Sequence, residues 1–329
     1  MLACRRLATL SFVTLALASP ACLEHRDPAC QDVPARSADP TGELYVGRAD
    51  PYAPGPLSVR TISVARCEAG APVALLIHTP ETAGTYAVVV FQHGFLARNS
   101  AYTEILRALA SHGFIVVAPQ MYTPGLPALL GCPTAAAEAD HAAQLLAWLP
   151  GHLDDLTGQR ARTDRLGLAG HSRGGKVAWL VLVADPARAQ AIAGVDPVDG
   201  TGGPRGNQAR VVNGPFSFAR PALVIGTGLG GNCAPAGDNH EQFYAASAAP
   251  AWHVVVPDAG HADMLDADSA AASLGTLVCT RGTDPAAMRR LTAGLLTAFF
   301  RASLQGDTTA SAYLTDTDAA PLPIEVESK

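Results

Sequence analysis

The chain has 329 residues, of which 48% are hydrophobic and 16% charged, and its formal net charge is -6. This composition is typical of a globular protein and not of a disordered one. The negative charge and the lack of a Lys/Arg cluster argue against nucleic-acid binding. No apolar run in the sequence has the length of a transmembrane span.

Residues 1–21 have the layout of a secretory signal peptide. Arg5 and Arg6 precede an apolar stretch, and small residues follow it before Cys22. The sequence therefore predicts removal of this segment and export of the protein, which would be extracellular, periplasmic or lipid-anchored to the cell envelope. The sequence S-P-A-C ending at Cys22 resembles a bacterial lipoprotein motif, although Ser stands where Leu is usual. Lipidation of Cys22 would attach the protein to a membrane.

The cysteines indicate disulfides, because export leads to an oxidising compartment. The cysteines after Cys4 are Cys22, Cys30, Cys67, Cys132, Cys233 and Cys279. Their pairing cannot be read from the sequence. No pair has the C-x-x-C spacing of a cysteine zinc site, and we predict neither a metal nor a cofactor.

The first half of the chain begins with a linker, predicted over residues 22–55 because the segment is rich in Pro, Asp and Arg and has no periodicity. LSVRTISVAR and VALLIHTP then predict an antiparallel pair of strands. TYAVVVFQHGF and FIVVAP are apolar runs typical of buried strands. The spacing of Tyr102, Ile105, Leu106 and Leu109 predicts a helix between these two runs.

The second half of the chain continues the alternation. Helices are predicted around residues 142–149, at KVAWLVLVA and around residues 288–299. Strands are predicted at RLGLAG, AQAIAGVD, PALVIGTG and AWHVVVPDAGH. Alternating strands and helices predict an α/β fold with a mainly parallel sheet and helices on both faces. We assign residues 56–305 to one catalytic domain and residues 306–329 to a polar C-terminal tail.

The motif Gly170-His171-Ser172-Arg173-Gly174 lies between a predicted strand and a predicted helix. G-x-S-x-G in this context is typical of a nucleophile elbow, in which glycines permit a sharp turn. We therefore predict Ser172 as a catalytic nucleophile. The alternative, a phosphate-binding glycine loop, does not match the spacing of glycine and lysine in a P-loop.

A serine nucleophile needs a base, and His261 directly follows the last predicted strand of the alternating series. His240 and His253 are its rivals, although His253 lies within the strand itself. We interpret His93 and His171 as structural, since they belong to other motifs.

Two aspartates fit the chain order Ser, Asp, His of this architecture. Asp196 ends one predicted strand, and Asp238 lies in the loop after the next. The pattern alone supports Asp196 and Asp238 almost equally as the catalytic acid, and either could be an ordinary turn residue.

An oxyanion hole requires two backbone N–H groups. We predict those of Arg173, which follows the nucleophile, and of Phe95, which lies in the loop after an apolar strand. An ordinary glycine turn is the alternative for the second position.

Several separated stretches together resemble the chlorophyllase family. They are FQHGF, SHGFIVVAPQ, GHSRGGKVA, GVDPV, GTGLG, CAP, NHEQFY and GHADMLD, within residues 84–305. The resemblance implies an α/β-hydrolase that cleaves the phytyl ester of chlorophyll to chlorophyllide and phytol. It also implies Asp196 as the catalytic acid, because this residue opens the D-P-V stretch.

Two features depart from the resemblance. Plant members have no bacterial export signal, and residues 121–140 match the family poorly. These departures keep a second substrate class open, namely a lipid ester or a polyester. A hydrolase-like binding protein without activity is a third hypothesis.

Overall fold

The computed structural model describes residues 30–31, 42–125, 128, 133–200 and 209–329. The predicted signal peptide, Cys22 and Cys132 lie outside the described residues. Within them, nine strands form one sheet in the order β1-β2-β4-β3-β5-β6-β7-β8-β9. The strands are β1 (Val59–Val64), β2 (Ala74–Pro80), β3 (Thr85–Gln92), β4 (Phe114–Gln120), β5 (Arg160–His171), β6 (Ala191–Val195), β7 (Ala222–Leu229), β8 (Ala251–Gly260) and β9 (Glu325–Ser328).

The pairing of the strands confirms the predicted α/β architecture. Strands β3 to β8 are mutually parallel, whereas β2 pairs antiparallel with both β1 and β4. The helices are α1 (Thr103–Ser111), α2 (Ala135–Trp148), α3 (Leu153–Thr157), α4 (Arg173–Ala184), α5 (His240–Ala246), α6 (Ala270–Val278) and α7 (Pro285–Phe300). Helices α3, α5 and α6 were not predicted from the sequence.

The apolar run of β3 supplies the core on both faces of the sheet. Successive strand residues point to opposite faces. Accordingly Val89 and Phe91 pack with residues of α1 and α7, whereas Val88 and Val90 pack with residues of α2 and α4. The helices on both faces explain why the central part of β3, residues 87–91, contains no polar residue.

The prediction of a polar tail over residues 306–329 is wrong. Strand β9 pairs antiparallel with β8, with Val326 opposite Val254. Ala310 and Leu314 are buried, Ile324 is 9% exposed, and Leu322 and Val326 pack partly buried against the core. These apolar side chains anchor the segment to the domain.

The described end of the predicted linker also belongs to the folded body. Tyr45 N–H donates a hydrogen bond to the carbonyl oxygen of Thr85, and the Tyr52 hydroxyl donates one to the carbonyl oxygen of Tyr313. Residues 42–55 are therefore part of the domain, because their two tyrosines find partners on it. No helix in the described ranges is both long enough and apolar enough to cross a membrane.

Candidate active site

Ser172 stands at a strained turn between β5 and α4. Its backbone has φ 56° and ψ -124°, a conformation that L side chains rarely adopt. A Cβ at Gly170 would lie 2.3 Å from the carbonyl oxygen of Gly174, and one at Gly174 would lie 2.2 Å from that of Gln92. The glycines of the G-x-S-x-G motif are therefore required by backbones that approach closely at this turn.

The structure brings Ser172, His261 and Asp196 together. The Nε2 atom of His261 lies 2.9 Å from Ser172 Oγ, and its Nδ1 atom lies 2.6 Å from Asp196 Oδ2. The three residues follow β5, β8 and β6. Because these strands are parallel, their carboxyl ends meet at the same edge of the sheet.

Asp196 is fully buried and held in one orientation. Its carboxylate accepts hydrogen bonds from the backbone N–H of Thr227 at 3.2 Å and from the Thr227 hydroxyl at 2.8 Å. Burial opposes the charged form, but the hydrogen bond from His261 and its neighbouring charge outweigh it and hold the pKa of Asp196 below its usual value. Asp196 is thus an ionised partner for the histidine.

The rival residues have other partners in the described structure. Asp238 forms an ion pair with Arg210. His240 Nδ1 lies 2.8 Å from His253 Nε2. His240 Nε2 lies 4.0 Å from Asp196 Oδ1, whereas His261 contacts the other carboxylate oxygen, Oδ2.

In the loop after β3, Phe95 N–H lies between two N–H groups that donate to side chains. Gly94 N–H donates to the Tyr102 hydroxyl and Leu96 N–H to the Tyr122 hydroxyl, each at 2.9 Å. Among the described residues, neither Phe95 N–H nor Arg173 N–H has a hydrogen-bond acceptor. The loop lies beside Ser172, since a Cβ at Gly94 would be 3.4 Å from Ser172 Cβ.

The side chain of Arg173 forms a buried ion pair that the sequence analysis missed. Its Nη2 atom lies 2.5 Å from Oε1 of Glu138, which is only 1% exposed. The guanidinium lies 5.5 Å from the centroid of the Phe95 ring and 5.9 Å from that of Tyr122. Burial raises the pKa of Glu138 to about 7, although Arg173 opposes this shift. The sequence does indicate that Glu138 is buried, because its spacing places it on the same face of α2 as the buried residues Ala135, Ala139 and Ala142.

A cavity of about 560 Å³ lies beside Ser172. Most of its lining is apolar and includes Phe95, Leu265, Leu274 and Val278. The disulfide between Cys233 and Cys279 also borders it and joins the loop after β7 to the end of α6. The described residues contain no cluster of His, Cys, Asp and Glu that could hold a metal ion.

A serine at the turn between a central parallel strand and its helix, within hydrogen-bond distance of a histidine, places the chain among the α/β-hydrolases. The topology of the sheet agrees with this class. Within it, the chain belongs to the chlorophyllase family, whose model matches residues 48–329. The members of this family are carboxylic-ester hydrolases. The match includes residues 306–329, in agreement with the structure of that segment.

Plant relatives cover most of the chain. It is 34% identical over 285 residues to Chlorophyllase-2 of Arabidopsis thaliana, which covers 80% of this chain and 87% of that protein. It is 37% identical over 252 residues to chloroplastic Chlorophyllase-1 of Citrus unshiu, which covers 72% of this chain and 74% of that protein. The similarity therefore extends well beyond the motif around the serine.

Proposed function

We propose that the protein hydrolyses the phytyl ester of chlorophyll, with Ser172 as nucleophile, His261 as general base and Asp196 as the acid that orients it. The observation that supports this proposal is the continuous hydrogen-bonded series from Ser172 Oγ through His261 to Asp196, placed beside an apolar cavity. Membership of the chlorophyllase family favours chlorophyll over other hydrophobic esters.

In the first step, Ser172 Oγ attacks the ester carbonyl carbon while His261 Nε2 accepts the hydroxyl proton. The negative charge that develops on the carbonyl oxygen would be stabilised by the N–H groups of Phe95 and Arg173, and one such donor is typically worth about 100- to 1,000-fold in rate. The tetrahedral intermediate collapses, and the protonated His261 transfers its proton to the departing phytol oxygen. The products are free phytol and a chlorophyllide acyl group on Ser172.

In the second step, water attacks this acyl-enzyme while His261 accepts a proton from it. Collapse of the second intermediate returns the proton to Ser172 Oγ and releases chlorophyllide. Asp196 remains ionised throughout and stabilises the imidazolium of His261.

The test is to incubate the purified protein with chlorophyll and, in parallel, with a soluble p-nitrophenyl ester. The Ser172→Ala variant is the control, and reaction of wild type with a fluorophosphonate probe reports the nucleophile. We expect both substrates to be hydrolysed, and Ser172→Ala to lose several orders of magnitude in rate. Hydrolysis of the short ester alone would reject chlorophyll as substrate. Activity of Ser172→Ala within about tenfold of wild type would reject the nucleophile.

We also propose that the protein is exported. Support comes from two disulfides among the described residues, Cys30–Cys67 and Cys233–Cys279, because disulfides form and persist in oxidising compartments.

A further inference from the structure

We infer that Tyr102 and His171 are positioning residues that fix the oxyanion loop relative to the loop of His261. This inference rests on the proposed function. The Tyr102–His171 relay, as we name it, is the series of three hydrogen bonds from Gly94 N–H through Tyr102 and His171 to the carbonyl oxygen of His261.

Each hydrogen bond of the relay is 2.9 Å long, and together they have one consistent set of donors. Gly94 N–H can only donate, so the Tyr102 oxygen accepts from it. The single Tyr102 hydroxyl proton is then donated to His171 Nδ1, which must be unprotonated. His171 Nε2–H is the remaining donor, and it meets the carbonyl oxygen of His261, which can only accept.

The relay is buried, with Tyr102 fully inaccessible and His171 only 3% exposed. In such surroundings every partner must be satisfied, because an unpaired polar group costs free energy. The hydrogen-bond directions are therefore enforced, and His171 is neutral. Its burial lowers the pKa of His171 to about 3.

The relay also touches the reacting groups themselves. The ring centroids of His171 and His261 lie 4.6 Å apart with an interplanar angle of 35°. A Cβ at Gly94 would lie 3.0 Å from His171 Nδ1 and 3.1 Å from the Tyr102 hydroxyl. A neutral His171 is the form compatible with a positive charge on His261, since two adjacent imidazolium ions would repel each other.

The relay thus joins loops that follow β3 and β8 through a residue at the end of β5. Phe95 N–H directly follows Gly94, so the relay sets the separation between a donor of the oxyanion hole and the base. A misplacement of about 1 Å in such a site can cost roughly 100-fold in rate. The effect should fall on the chemical step and not on substrate binding.

Tyr102→Phe removes only the hydroxyl of the relay. With a soluble p-nitrophenyl ester, we expect kcat to fall about 10- to 100-fold and KM to stay within roughly threefold of wild type. Tyr86→Phe is the matched control, because it removes a buried tyrosine hydroxyl that donates to the carbonyl oxygen of Thr82 at 2.7 Å. This control should lower stability and leave kcat unchanged.

Two His171 variants separate hydrogen bonding from packing. His171→Gln offers an amide oxygen to Tyr102 and an amide N–H to His261, whereas His171→Leu offers neither. We expect His171→Gln to keep kcat within about tenfold of wild type and His171→Leu to lose roughly 100-fold or more. Circular dichroism establishes that each variant is folded. If His171→Leu does not fold, the kcat of Tyr102→Phe alone tests the inference.

Wild-type kcat in Tyr102→Phe would overturn the inference, as would equal losses in folded His171→Gln and His171→Leu. Ser172→Ala, measured in the same assay, distinguishes failure of this inference from failure of the proposed function. If Ser172→Ala is inactive and the relay variants are fully active, this inference alone fails. If Ser172→Ala is active, the proposed function fails.

Discussion

Arg173 Nη2 and Glu138 Oε1 lie 2.5 Å apart in the interior, and this ion pair joins the first residue of α4 to α2. Glu138→Leu would leave Arg173 as an unpaired buried cation, which typically costs about 3–5 kcal/mol. We expect urea unfolding at pH 8 to show such a loss. The double variant Glu138→Leu/Arg173→Met should recover most of it, because it contains no buried charge at this position. Equal stabilities of the single and double variants would contradict this account.

Asp196 and Asp238 should differ sharply as sites of Asn substitution. In the proposed mechanism, Asp196→Asn removes the carboxylate that orients His261 and stabilises its charged form, so we expect a loss of about four orders of magnitude in kcat at neutral pH. Asp238 lines the cavity but does not contact His261, and Asp238→Asn removes its ion pair with Arg210. We expect most activity to remain, with about 1 kcal/mol lost in stability. The measurement is kcat on a p-nitrophenyl ester with urea unfolding of both variants. If Asp238→Asn is inactive and Asp196→Asn is active, the catalytic acid is Asp238, in the loop after β7.

His78 should make stability depend on pH. It is fully buried in β2, and burial, with a smaller effect of Arg107, lowers the pKa of His78 from 6.5 to about 4. Between these two pH values the unfolded chain binds a proton that the folded chain does not, so stability falls as pH decreases through this window. When the pH is lowered from 6.5 to 4, we expect the unfolding free energy of wild type to fall by up to roughly 3 kcal/mol more than that of His78→Gln. Parallel pH profiles of the two proteins would refute this.

The two disulfides should differ in their effect on catalysis. Replacing either pair of cysteines by serine removes a covalent loop closure, which typically costs about 2–4 kcal/mol. Only Cys233–Cys279 borders the cavity beside Ser172. We therefore expect the Cys233→Ser/Cys279→Ser variant to change KM for chlorophyll, and the Cys30→Ser/Cys67→Ser variant to leave KM unchanged. Unchanged KM in both variants would mean that the tether of α6 does not shape the cavity.

Export predicts a processed N-terminus on protein isolated from its native host. Mass spectrometry should show a mature chain that begins at or near Cys22. A diacyl or triacyl mass on Cys22 would support a lipid anchor, whereas an unmodified N-terminus in the medium would support secretion. An intact Met1 would refute export.

The sequence predicted those elements whose pattern is local. Strand β3 was evident from its apolar run, and the turn at Ser172 from the glycine spacing that close backbones require. The structure places Asp196 and not Asp238 beside His261, a choice that strand order left open. The position of the Asp196 carboxylate depends on the turn after β6, where Asp196 itself has φ 41°. It also depends on the hydrogen bond from the Thr227 hydroxyl, which belongs to the next strand.

Contacts between distant parts of the chain could not be predicted in this way. Tyr102 was read only as a helix-face residue, although its hydroxyl contacts His171, 69 residues further along. Residues 306–329 were read as a tail because the buried apolar side chains of Ala310, Leu314 and Ile324 are too few and too far apart to show the period of a helix or a strand.

His261 is the last of the three site residues in chain order, after Ser172 and Asp196. This order affects when during synthesis the protein can become active. His261 is 89 residues from Ser172 and 65 residues from Asp196. Parallel strands pair only after long intervening segments have been closed into loops, which makes such topologies slow to fold. A ribosome-bound chain that has not yet extended past β8 lacks His261, the proposed base. Under the proposed export, a precursor kept unfolded during transport would therefore not cleave esters of the cell that makes it.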